Sequence, residues 1–294
     1  MKLATVLREE GTGLALVDPA AGRGWLIEPP AWAPKPFDML ALIRGFRDFA
    51  PHLRPEGPGV PLADLRLLAP IPRPARNVFC VGKNYYDHAH EFANSGFDTS
   101  AGKGGDAVPD CAIYFTKVPE IVIGPGAPIP FPHGLSDQID YEVELTVVIG
   151  KGGRAIPRER ALDHVFGYTV ANDVTARDLQ ARHKQWFIGK NIDGFCPMRP
   201  WIATADEVDL SDASVRTWVN GELRQDSNTR DLIFDVPSLI ETLSAGLTLH
   251  PGDLIMTGTP AGVGLGFTPP KFLKPGDRVK MEIGGIGILE NVLE

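Results

Sequence analysis

Glu142 and Glu144 stand two apart in the stretch DYEVELTVVIG, Asp140 to Gly150. Its odd positions are apolar (Tyr141, Val143, Leu145, Val147, Ile149), and its even positions begin Asp140, Glu142, Glu144, Thr146. Alternation of this length reads as a half-buried strand with its carboxylates on one face, successive ones roughly 7 Å apart. Adjacent acids on one face repel, and Lys or Thr would be the less costly choice there. The pair either faces solvent, as on any half-exposed antiparallel strand, or holds a cation. If the polar face is not core, Glu144→Gln removes cation-dependent activity and leaves the chain folded.

Asp173 offers a third carboxylate. In GYTVANDVTARDLQ an apolar strand stops at Asn172-Asp173 and a helix follows. Asp173 either caps that helix or joins the glutamates. Three carboxylates without His or Cys nearby make a hard, all-oxygen site, which selects Mg²⁺ or Mn²⁺, with Ca²⁺ as third candidate, over Zn²⁺. Mg²⁺ keeps coordination positions for water and substrate oxygens, so such a site calls for a chelating substrate. On the helix, Arg177, Gln180 and Lys184 fall at spacings of three and four and share a face.

Four further positions could work beside such a site. NYYDHAHEF places His88 and Glu91 three apart, neighbours on a helix. The Glu would orient the imidazole and raise its basicity, making a general-base pair near neutral pH. A surface His with an incidental Glu is the alternative. Lys190, between Gly189 and Asn191 in an apolar setting, could be a charge aimed at an anion. Thr259 lies where the strand DLIM runs into the turn TGTPAGVG, a turn that exposes backbone N–H groups but lacks the Gly-Lys-Ser/Thr of a phosphate loop.

The elements that must position these residues are mostly strands. VRTWVNGELRQ reads as a hairpin through Asn220-Gly221 and DRVKMEIGGIGILENV as another through Gly284-Gly285. NVFCVG reads as a short buried strand. PFDMLALIRGFRDFA, KNYYDHAHEFAN and DVPSLIETLSAG read as helices, the last with Pro237 near its start and Gly246 just past its end. No repeated βαβ spacing appears, so the class is α+β rather than a doubly wound sheet. Seven prolines between Pro51 and Pro74 place a boundary near residues 70–75, with a small N-terminal domain over 1–72 and a catalytic domain over 73–294.

The chain of 294 residues, 43% apolar, can bury a full core. A net charge of −8 without long runs of one sign argues against nucleic acid or an anionic membrane as partner. The apolar runs are too short for a membrane span. Arg8, Glu9 and Glu10 fall where an export signal needs an apolar core. Three widely spaced cysteines suit a reducing compartment. Together these lead to the expectation of a cytoplasmic protein.

Read together, the stretches resemble the fumarylacetoacetate hydrolase family. VGKNYYDHAHEF, DYEVELTVVIG, GYTVANDVTARDLQ, QWFIGKNIDGFCPM, NGELRQDSNT, PGDLIMTGTPAGVG and LKPGDRVKMEI look like its motifs, in its order, over about residues 74–294. The resemblance implies a layered, rolled mixed β-sheet, usually a homodimer, and an Mg²⁺- or Mn²⁺-dependent enzyme. It maps the metal triad onto Glu142, Glu144 and Asp173, and the His-x-x-Glu pair onto His88 and Glu91. Lys190, Arg177, Gln180 and Thr259 match further site positions. Members cleave carbon–carbon bonds in β-diketo acids such as acylpyruvates, or decarboxylate or tautomerise related 2-oxo acids.

The expected function is therefore hydrolysis of an acylpyruvate- or fumarylpyruvate-like acid. His88 and Glu91 would activate water, Lys190 with Gln180 would stabilise the oxyanion, and Arg177 and Thr259 would hold substrate or support the site. Decarboxylation or keto–enol isomerisation needs the same enolate without the attacking water. A non-catalytic metal- or ligand-binding module is the alternative from another class. A glycosidase is disfavoured, because residues i and i+2 of one strand face project the same way instead of flanking a bond. The loop from Asn94 to Asp110, longer than its counterpart in the smallest members, is either a lid over the site or a passive insertion.

Overall fold

The computed structural model of the protein describes residues 1–9, 11–97 and 107–294. The fold is α+β and strand-rich, with a mixed sheet, few helices and, among the described residues, no sheet closed into a barrel. The largest sheet runs from the two-residue strand Val60–Pro61 through Arg23–Ile27, Gly11–Asp18 and Lys2–Arg8 to Cys196–Thr204. It continues through Val165–Asn172, Val143–Ile149, Leu254–Met256 and Val78–Gly82 to Ile113–Lys117. Its pairings are antiparallel except Leu254–Met256 beside Val78–Gly82, and Val122–Ile123 beside Cys196–Thr204. A second sheet holds both expected hairpins, Ser214–Val219 with Glu222–Asn228 and Arg278–Ile283 with Gly287–Val292. One apolar core joins the sheets: Val143, Leu145 and Val147 belong to the same packed cluster as Val215, Val279 and Met281.

The leading strands do not stand apart from this sheet. Lys2–Arg8 pairs with Cys196–Thr204 through Lys2↔Ala203 and Leu3↔Ile202, and Thr5 Oγ1 donates to the carbonyl of Pro70. The sheet thus runs unbroken from the N-terminal segment into the strands beside the carboxylates.

The stretch DYEVELTVVIG differs from its sequence reading. It is two elements: Ile139–Asp140 pairs with Thr175–Ala176, and Val143–Ile149 lies inside the large sheet. Every residue of Val143–Ile149 is buried, on both faces. The alternation is real, but the polar face is covered by the helices that carry the rest of the site, and its charges are satisfied internally. Glu144, 1% exposed, is core, so a solvent-facing role is excluded and Glu144→Gln is a core substitution.

Other differences are local. PFDMLALIRGFRDFA forms two short helices, Met39–Arg44 and Phe46–Phe49, broken at Gly45. Asp173 does not cap the following helix. That helix is Arg177–Arg182 with Ala176 at its cap, because Thr175–Ala176 is taken up as a strand. The helix ends before Lys184, which is exposed with φ +57 and does not share the buried face of Arg177 and Gln180. The helix Val236–Gly246 is capped by Asp235, with Gly246 as its last residue. Most of the Asn94–Asp110 loop, residues 98–106, lies outside the described residues.

Because Val143–Ile149 is interior, truncating it should be costly. Leu145→Ala is expected to lower the unfolding free energy by about 2–5 kcal/mol, read from urea denaturation. A loss of a few tenths would mean that the strand is a surface element after all.

A buried carboxylate cluster and candidate metal centre

Glu142, Glu144 and Asp173 come together although they arise from three backbone contexts. Glu144 lies on Val143–Ile149, opposite Ala171 of Val165–Asn172. Glu142 precedes that strand, and its N–H is held by Asn172 Oδ1 at 3.0 Å. Asp173 follows Asn172, its N–H donating to the Glu142 carbonyl at 2.9 Å. Each of the three offers a carboxylate oxygen, and these all lie within 4.8 Å of one another. All three residues are buried.

Cations surround this cluster. Arg177 Nη2 pairs with Glu142 Oε1 at 2.6 Å and Arg177 Nε with Asp140 Oδ2 at 2.8 Å. Arg177 Nη1 donates to Gln180 Oε1 at 3.1 Å. Lys190 Nζ bridges two members of the triad, 2.8 Å from Glu142 Oε2 and 2.7 Å from Asp173 Oδ2. Lys117, fully buried, pairs with Asp173 Oδ1 at 2.8 Å. It also donates to the carbonyls of Val174, Phe195 and Lys190. A buried ion pair is tolerated only when its remaining donors and acceptors are also satisfied, and Lys117 meets that condition.

These charges split the two glutamates. Burial alone would raise the Glu142 carboxyl, but Lys190 and Arg177 outweigh it and hold it at about 2. Glu144 goes the other way: burial first, then the Asp173 and Glu142 carboxylates, push it well above the usual range. Burial works against the Lys190 ammonium, yet Asp173 and Glu142 keep it above its ordinary value. The cluster therefore lacks positive charge opposite Glu144. Three hard oxygen donors with one under-compensated carboxylate fit a divalent cation, and Glu142, Glu144 and Asp173 would hold it.

The turn after Leu254–Met256 organises the anions. Gly258 N–H donates to Glu144 Oε2 at 2.8 Å, Gly262 N–H to Glu91 Oε1 at 2.9 Å, and Gly264 N–H to Asp140 Oδ1 at 2.6 Å. Gly262 has φ +97, and a Cβ there would sit 1.9 Å from the Arg224 carbonyl, so no side chain can replace it without moving the turn. Glu91 in turn holds His88 Nδ1 through Oε2 at 3.0 Å. With Glu91 ionised, Nδ1 carries the proton and Nε2 keeps its lone pair. His88 is 5% exposed and its neighbour His90 is exposed, so the helix Tyr86–Asn94 buries the histidine that the spacing singles out.

One small cavity is lined by His88, Glu142, Glu144, Arg177, Lys190 and Thr259. Gln180 and Lys83 line it too. Thr259 Oγ1 accepts from Gln225 Nε2 at 2.8 Å. Seven of the nine expected site residues thus line this cavity; Glu91 reaches it through His88, and Asp173 joins through its carboxylate contact with Glu142 and Glu144.

The residue reading missed Asp140, Lys117 and Gln225. Asp140 was within the acidic alternation but is displaced onto its own short strand, where it anchors Arg177. Gln225 ties Thr259, the Pro260 carbonyl and the Val143 N–H together. A buried amide on a hairpin strand could have been suspected from its alternation with exposed neighbours. Lys117, one of several strand lysines, gave no local signal.

Two outcomes follow. Lys117→Met leaves Asp173 Oδ1 and three carbonyls without this donor and is expected to cost about 3–5 kcal/mol of stability, measured by chemical denaturation; a change below 1 kcal/mol would show that the ion pair is dispensable. Cation binding must displace the proton favoured on Glu144. Mn²⁺ affinity should therefore rise with pH above the ordinary carboxylate range and level off once Glu144 ionises unaided. Calorimetry in buffers of different ionisation enthalpy reads the released proton, and affinity that falls over that range would remove Glu144 from the ligand set.

Comparison with known proteins agrees with this geometry. The model of the fumarylacetoacetate hydrolase C-terminal region matches residues 77–294. Oxaloacetate tautomerase YisK of Bacillus subtilis is 51% identical over 232 residues, 78% of this chain and 73% of that protein. The fumarylacetoacetate hydrolase of psychrophilic Exiguobacterium antarcticum superposes with a TM-score of 0.84 at 42% identity, covering 100% of this chain and 99% of that one. The maleylpyruvate hydrolase of a Sphingobium species, solved with manganese(II) and pyruvate, gives 0.77 at 31% identity, covering 100% and 98%. Sequence, fold and carboxylate cluster lead to one conclusion: the chain belongs to the fumarylacetoacetate hydrolase family.

Proposed function

We propose that the protein interconverts the keto and enol forms of a short 2-oxo acid, oxaloacetate first among them, at a divalent-metal centre. The observation that carries this reading is the hydrogen-bonded His88–Glu91 pair, whose buried histidine lines the same cavity as Glu142 and Glu144. It is supported by the 51% identity to an oxaloacetate tautomerase.

A divalent cation on Glu142, Glu144 and Asp173 supplies a Lewis acid for the oxygens of the acid. The protein's own groups handle the proton. His88 Nε2 takes a proton from C3, the electron pair of that bond moves to C2–C3, and the C2 oxygen is protonated in exchange. Glu91 holds the imidazole by Nδ1 and offsets the charge that His88 acquires. Lys190 and Arg177 balance negative charge on the cluster while charge builds on the C2 oxygen. No carbon–carbon bond breaks, and no water is consumed.

Hydrolysis of an acylpyruvate is the second reading. It is favoured by the likeness to a maleylpyruvate hydrolase and would use the same pair to deprotonate water. One panel with Mg²⁺ separates the two: oxaloacetate followed by its enol absorbance, acetylpyruvate and fumarylpyruvate followed by pyruvate release. Rapid enol–keto interconversion with C3 deuterium exchange, lost by roughly 10²- to 10⁴-fold in His88→Ala, is the expected result. Pyruvate release from the acylpyruvates without tautomerase activity would transfer the assignment to hydrolysis. Activity unchanged in His88→Ala would refute both.

A further inference from the structure

We infer that Trp186 closes the tail end of the cavity and limits the length of the acid it accepts, so that a four-carbon 2-oxo acid is preferred over its longer homologues. The inference rests on the metal-assisted 2-oxo acid reading and adds to it the residue that sets substrate length.

Trp186 lines the cavity together with Gly82, Phe92 and Phe115. Its indole lies directly on Gly82, where a Cβ would fall 2.1 Å from the ring. A glycine in a strand commonly marks such a close approach. Phe92 and Phe115 meet the indole edge-on, with centroids at 6.2 Å and 5.4 Å and planes at 84° and 74°, the arrangement that aromatic rings favour. The backbone is fixed as well. The Trp186 carbonyl accepts the Lys190 N–H at 3.1 Å, across the helix Phe187–Lys190. A Cβ on Gly189 of that helix would fall 2.6 Å from the Gln180 nitrogen, so the helix lies tight against Arg177–Arg182. The element that aims Lys190 at Glu142 and Asp173 therefore also places the indole.

Magnitudes decide what this wall does. The cavity has a volume of about 20 Å³, and one water needs roughly 10–15 Å³. A four-carbon acid enters only if part of the wall yields. The polar wall is tied down: Glu142, Arg177 and Lys190 are joined in ion pairs, and Glu91 holds His88. The aromatic wall is held by ring contacts. Phe187 and Ile188, next to Trp186, are exposed while Trp186 is 8% exposed, so the indole stands between the cavity and the outside. The carboxylate and 2-oxo oxygen of the acid suit the triad, which leaves its tail against the indole. Each further methylene must push the ring farther from Gly82 and out of its edge contacts with Phe92 and Phe115. One methylene against an apolar wall is worth about 10- to 200-fold in discrimination.

The test uses three dicarboxylic 2-oxo acids that differ only in chain length, oxaloacetate, 2-oxoglutarate and 2-oxoadipate, with Mg²⁺-loaded wild type, Trp186→Leu and Trp186→Phe. Kd is read by calorimetry and enolisation by C3 deuterium exchange. Wild type should bind 2-oxoadipate about 100-fold more weakly than oxaloacetate, two methylenes at the low end of that range. In Trp186→Leu the ratio should fall to about threefold or less, chiefly through tighter binding of the longer acid. Trp186→Phe, with a shorter reach, should lie between, and it carries the test if the leucine variant does not fold. An unchanged ratio with all three acids weakened alike would make Trp186 a structural residue and overturn the inference, as would a wild type that binds the three acids equally. Length discrimination relaxed in Trp186→Leu, but without C3 exchange by wild type, would keep the inference and refute the proposed reaction. Failure of wild type to bind any of the acids would overturn both.

Discussion

Four carboxylates buried behind one small cavity are the constraint from which the rest of this structure follows. Asp140, Glu142, Glu144 and Asp173 are each at most 4% exposed, and an unpaired buried charge is costly enough that a fold cannot leave several uncompensated. The chain answers with Arg177, Lys190 and Lys117, themselves buried, and with backbone donors. That answer dictates topology. Lys117 must come from one edge strand of the sheet, Arg177 and Lys190 from two short helices, and the donors from the turn after Leu254–Met256, all meeting at Val143–Ile149. The compensation is uneven. Glu142 is held low by two cations, while Glu144 is raised by burial and by its neighbouring carboxylates, and that asymmetry fits a cation site better than a closed network of ion pairs.

The turn from Thr257 to Gly266 links the carboxylate cluster to the His88–Glu91 pair. Its N–H groups reach Glu144, Glu91 and Asp140, and Leu265 adds a second bond to Asp140 at 3.1 Å. Three carboxylates from a strand, a helix and a two-residue strand are thereby registered against one segment of backbone. A rearrangement of this turn would shift Glu91 with its histidine, the raised carboxylate and the anchor of Arg177 together. Gln225 extends the coupling to the second sheet, since one amide holds Thr259, Pro260 and the N–H of Val143. The second sheet thus shares the positioning of the site as well as the core.

The site was more legible in the sequence than its surroundings. Glu142 and Glu144 announce themselves because two acids on one strand face make little sense without a counter-ion, and His88 with Glu91 because a helix places residues three apart side by side. What the sequence concealed was burial. Period two distinguishes two faces, but it does not say that both are covered, and here the polar face lies inside. Asp173 looked like a helix cap because Asp before a helix usually is one; the intervening Thr175–Ala176 strand depends on a partner, Ile139–Asp140, more than thirty residues away. Lys117 was invisible for the same reason. A lysine's role is set by what surrounds its tip, and Lys117 is surrounded by Asp173, Val174, Lys190 and Phe195, all distant in the chain.

The same dependence explains how one carboxylate cluster can serve several reactions in this family. On the function proposed above, the triad and its cations would act on what such substrates share, the oxygens of a 2-oxo acid. Whether a proton, a carboxyl group or an acyl group then leaves depends on what lies at the other end of the acid and on whether water reaches it. Besides the carboxylates, the cavity wall includes the connection in which Val78–Gly82 turns through Lys83 into the helix of His88. Divergence of reaction on a constant cluster is therefore expected to concentrate in this connection, which lines the cavity without supplying a carboxylate to the cluster.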